Sequence, residues 1–70
     1  MYSRTVKVVP RDSGGFTLWW DQGMFVAQGS TNECAYWTDY MGSSIWFTTK
    51  VAASIYAENH PNLELVSITQ

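Results

Sequence analysis

Two side chains here have the chemistry of a nucleophile and a general base, Cys34 and His60, and each type occurs once. A thiol becomes a working nucleophile only beside a positioned base. The two fall in different elements, so the sequence does not pair them. His60 follows a helical stretch, where a helix dipole favours a protonated imidazole, and it reads as a capping or surface residue. Cys34 reads as a buried structural thiol. The acids Asp12, Asp21, Glu33, Asp39, Glu58 and Glu64 are scattered, so no paired-carboxylate site is visible. Asp21 and Asp39 each end a strand; they read as turn caps that could also converge in space. One His and one Cys fall short of a zinc site, which takes three or four protein ligands. Gly14-Gly15 lacks the longer glycine pattern and the lysine of a phosphate loop. No catalytic, metal or cofactor site is expected.

What remains is aromatic surface. The chain has 4 Trp, 4 Tyr and 3 Phe among 70 residues. Each such ring can bury about 150–250 Å², more in sum than one small core can hide. Trp and Tyr are favoured at binding hot spots because they bury much area at little entropic cost. Against this, the scarcity of Leu means that some rings must supply core volume. Stacking on single-stranded nucleic acid would need a positive groove beside the rings. The net charge is -2, from 4 Lys+Arg against 6 Asp+Glu, and Arg4, Lys7 and Arg11 all precede residue 12. Direct nucleic-acid binding is therefore not expected, and six dispersed acids do not form a DNA-mimicking face.

The elements that must position these rings are short. A chain of this length is expected to be one domain over residues 1–70. Residues 3–9, SRTVKVV, read as a strand with Val6 and Val8 on one face and Thr5 and Lys7 on the other, ended by Pro10. Asp12-Ser-Gly-Gly15 is a turn. Phe16 to Trp20 returns, with Phe16, Leu18 and Trp20 opposite Thr17 and Trp19. Met24 to Gln28 and Cys34 to Asp39 read as further strands, the latter with Tyr36 and Trp37 on opposite faces. Thr49 can cap a helix from Lys50 to about Asn59. Its polar residues Lys50, Ser54 and Glu58 form one narrow stripe, and the wide apolar remainder predicts burial on more than one side. Pro61 marks its end. Leu63 to Ile68 is a poorly alternating apolar run, which predicts a central closing strand. The fold class is α+β: an antiparallel sheet of four or five strands with one helix on one face, in the order βββ(β)αβ.

The helix region carries F-x-T-K-x-x-A-x-x-Y-A at Phe47, Thr49, Lys50, Ala53, Tyr56 and Ala57, downstream of Trp37-Thr38-Asp39. In this the chain resembles small phage and prophage proteins in which a β-meander leads into a helix and a closing strand. The likeness covers the C-terminal half and rests on structural residues; Met24 to Asn32 is longer than that pattern needs. Phage proteins of this size and charge include inhibitors of host defence, anti-CRISPR proteins among them. The resemblance thus implies a non-enzymatic accessory protein that binds and blocks a host protein complex such as CRISPR-Cas. One cysteine excludes an internal disulfide and favours a reducing compartment. Neither a signal-peptide core nor a membrane-length apolar run is present, so the cytoplasm of a bacterial host is the expected location. The surface expected to bind is the sheet face without a helix and its adjoining turns: Trp19, Asp21, Tyr36, Asp39 and Tyr40. Self-pairing of that face into a homodimer is the alternative, with a single-stranded nucleic-acid-binding module ranked third.

Overall fold

A computed structural model describes residues 4–65. Five strands form one sheet: β1 (Arg4–Pro10), β2 (Phe16–Trp20), β3 (Met24–Val26), β4 (Trp37–Thr38) and β5 (Leu63–Leu65), in spatial order β4-β3-β2-β1-β5. A single 3-10 turn at Met41–Ser43 and one α-helix, α1 (Lys50–Asn59), precede β5. The class is α+β, as the alternation and helix periodicity predict, and Met24–Val26 joins the main sheet.

The first four strands form an antiparallel meander, and glycines set its turns. Gly14 and Gly15, at φ 104° and 77°, close the β1–β2 hairpin, and Gly23, at φ 94°, closes β2–β3. These are left-handed conformations that cost other residues a steric penalty. The sheet is mixed rather than antiparallel, because β5 pairs parallel with β1, Arg4 opposite Leu63 and Val6 opposite Leu65. Parallel neighbours need a crossover connection, usually a helix, and α1 lies in the connection that leads back to β1. Nor is β5 central: it stands at the end of the strand order. It is apolar because Leu63 is buried and Leu65 half-buried beneath α1, while Glu64 between them is exposed. Residues 66–68 of the expected strand lie outside the described residues. Of the expected strand 34–39, only Trp37–Thr38 pairs.

Thr49 caps α1, its hydroxyl accepting the Ala52 N–H at 3.1 Å. The helix packs through its small residues. Ala53 and Ala57 are fully buried against Val6, Leu18, Val26 and Leu63. Trp20, Trp37, Phe47 and Tyr56 pack around this centre, with Trp20–Trp37 and Phe47–Tyr56 ring centroids 5.3 and 5.4 Å apart. Half of the tryptophans therefore supply core volume. The Arg4 guanidinium lies 4.7 Å from the Trp20 ring and 5.3 Å from that of Trp37. Burial of α1 on more than one side does not occur: Val51 and Ile55 are exposed. Too few elements exist among the described residues to supply a second layer. Among the described residues no helix is long and apolar enough to cross a membrane.

Candidate functional site

Alternation divides the sheet into two faces. Val6, Leu18, Trp20, Val26 and Trp37 stand on the helix side. On the other side, the strand pairings Lys7–Trp19, Trp19–Phe25 and Phe25–Thr38 set four residues in a row across β1 to β4. Paired residues on neighbouring strands share a face, so this row is continuous. The Lys7 ammonium lies 5.2 Å from the Trp19 ring centroid. Trp19 and Phe25 are half-buried and Lys7 is exposed. The α-helix does not cover this face: it packs on Val6, Leu18 and Val26 opposite. Toward the hairpin end it is closed, with Thr17 fully buried and its hydroxyl without a hydrogen-bond partner.

The five residues expected from sequence fall around this row. Trp19 is its centre. Tyr36 continues the β4 side: its carbonyl accepts the Ala27 N–H at 2.7 Å, two residues before Thr38 and so on the same face, and it is 53% exposed. Asp21 and Asp39 are exposed. They follow β2 and β4, which run in the same direction on either side of β3, so both stand at one end of the sheet. Tyr40 is 68% exposed, with its ring folded over Gly42, where a Cβ would lie 2.6 Å from the ring. Trp19 and Tyr36 thus share the open face, while Asp21, Asp39 and Tyr40 occupy turns. Sequence reasoning missed Phe25 and Lys7. Their alternation was readable, but their alignment with Trp19 depends on register, which strand composition does not set.

His60 is buried, not superficial, and caps the end of α1. Its Nδ1 accepts the Asn62 N–H at 3.1 Å, so Nε2 carries the proton and donates to the Thr31 carbonyl at 3.1 Å. The Tyr56 hydroxyl donates to the same carbonyl at 2.6 Å, and the Asn62 amide donates to the Glu33 carbonyl at 3.2 Å. Together they hold the loop from Thr31 to Cys34 against the helix end. With both ring nitrogens engaged, His60 is a structural residue. Cys34, expected to be buried, is exposed, because the strand that would have carried it inward starts only at Trp37. A hydrogen bond with Cys34, then the charge of that group, and slight desolvation raise the Tyr36 phenol above its usual value. No group of three or more His, Cys, Asp or Glu residues among those described is placed to hold a metal ion.

A shallow groove of about 450 Å³ lies on the other side of the molecule, lined by Asn32, Phe47, Ala52, Ile55, Tyr56 and Asn59. Comparison with protein-family models, curated proteins and solved structures gives no match to this chain.

Proposed function

We propose that this chain is a non-enzymatic, phage-type accessory protein that binds and inhibits a host protein complex, anti-CRISPR-like, in the cytoplasm of a bacterial host. The observation that carries the reading is the row Lys7, Trp19, Phe25 and Thr38 on the sheet face that α1 does not cover, extended by exposed Tyr36. A face with a central Trp and a polar border has the composition of a binding hot spot and its rim. Asp21 and Asp39 at one end favour a partner with a basic surface there, as nucleic-acid-handling complexes usually have.

The test is capture of a CRISPR-Cas or other defence complex from host lysate, followed by its activity with and without the protein. Inhibition is expected. Trp19→Ala should weaken the interaction by about 2 kcal/mol or more without unfolding the domain. Asp21→Lys and Asp39→Lys should lower the association rate. Cys34→Ser should leave inhibition intact. Loss of inhibition in Cys34→Ser with full activity in Trp19→Ala would replace this reading with a chemical one. Self-association through the Trp19 face, with no complex captured, would favour the homodimer alternative.

A further inference from the structure

Helix α1 turns Ala53 and Ala57 inward and leaves an unpartnered outer side. There Val51 is 66% and Ile55 53% exposed, one turn apart on a single face. Both are β-branched, and such residues lose side-chain freedom in a helix. At exposed positions they weaken the monomer and bury little in return. The helix charges are also reversed. Lys50 is its first residue and Glu58 lies in its last turn, with no acid at the start and no base at the end. Each therefore sits at the end of the macrodipole that repels it. Neither forms an ion pair among the described residues.

One arrangement answers all of these features. A second α1 packed antiparallel about a two-fold axis places each Lys50 opposite the other Glu58, since eight helical residues span about 12 Å. Val51 and Ile55 then fill the centre, and each charge meets the dipole end that attracts it. Such a surface is self-complementary, as an isologous dimer requires. Ile55 also forms one lip of the groove with Ala52 and Tyr56, which offers the opposite copy's side chains a recess. We propose that the outer face of α1 is a homodimer interface and that its occupant is a second copy of this chain. The inference is independent of the sheet-face reading, because the two surfaces lie on opposite sides of the molecule. A dimer built this way presents two sheet faces at once, which adds avidity on any partner with repeated sites.

Sedimentation equilibrium from micromolar to millimolar protein tests the proposal, with circular dichroism to confirm folding of each variant. Wild type should reach a dimer. Ile55→Gln should weaken dimerisation by about tenfold or more while leaving capture through the Trp19 face intact. Lys50→Glu should raise the thermal midpoint of the monomer, because it complements the dipole, yet weaken the dimer by setting acid against acid. The Lys50→Glu, Glu58→Lys double variant should restore dimerisation. A monomer at every concentration overturns the proposal, as does a dimer indifferent to Ile55→Gln and to both charge changes. A dimer lost in Trp19→Ala but kept in Ile55→Gln also overturns it, by moving the second copy to the sheet face.

Discussion

Trp46 is half exposed, yet its position is structural. Its indole N–H donates to the Gly14 carbonyl at 3.0 Å, and its ring covers Gly15. A Cβ at Gly15 would meet the indole nitrogen and lie 2.7 Å from the Phe47 carbonyl oxygen, whereas one at Gly14 would meet nothing within 4 Å. Gly14→Ala should therefore lose only the left-handed conformational advantage, about 1–2 kcal/mol. Gly15→Ala should lose that and the packing, about 2 kcal/mol or more. Equal urea midpoints for the two would mean that Trp46 does not lock the turn. Tyr56 gives a pH signature. Desolvation raises its phenol above the usual 10.0. The folded state then holds the proton where the unfolded chain has begun to release it. The resulting stability is fully present below that usual value and is lost as pH rises through the folded one. Tyr56→Phe should be less stable near neutrality, having lost the bond to Thr31. It should also show a shallower decline as pH rises above about 10, measured by denaturant midpoints. Parallel declines in the two proteins would refute the assignment.

At the scale of elements, the small residues of α1 set how closely it approaches the sheet. Ala53 is fully buried and Ser54 half-buried on the flank. Ala53→Leu forces extra volume into the centre and should cost about 1–3 kcal/mol; Ser54→Leu should cost much less. Thermal midpoints that fell equally would show that the helix is rotated from the phase described. The same phase explains why Val51 and Ile55 stand outward. With Ala53 and Ala57 directed at the sheet, residues some 140–180° away around the helix, Val51 and Ile55, have nothing to pack against.

For the whole molecule, charge decides which partners are open to it. The chain has four cations and a net charge of -2. Three of the four are already engaged: Arg4 lies over Trp20 and Trp37, Lys7 over Trp19, and Arg11 donates to the Met41 carbonyl at 3.4 Å. Few remain to displace counterions from phosphates, which supplies most nucleic-acid affinity. No measurable binding to single- or double-stranded DNA is expected at physiological salt in a fluorescence anisotropy titration. A micromolar dissociation constant with a steep salt slope would instead make Trp19 and Phe25 stacking residues.

Local chemistry in the sequence by itself determined much of this protein. The Gly14-Gly15 reversal, the division of Phe16, Leu18 and Trp20 from Thr17 and Trp19, the Thr49 cap and the extent of α1 all follow from interactions a few residues long. Tertiary structure decided the rest. The parallel β1–β5 pairing joins the two ends of the chain, and nothing in Leu63–Leu65 alone names its neighbour. Cys34 became exposed and His60 buried through the loop held at the Thr31 carbonyl, a contact across 29 residues. The alignment of Lys7, Trp19, Phe25 and Thr38 required the register of four strands together. Periodicity can assign a residue to a face, but which residues on that face become neighbours is fixed only when the strands pair.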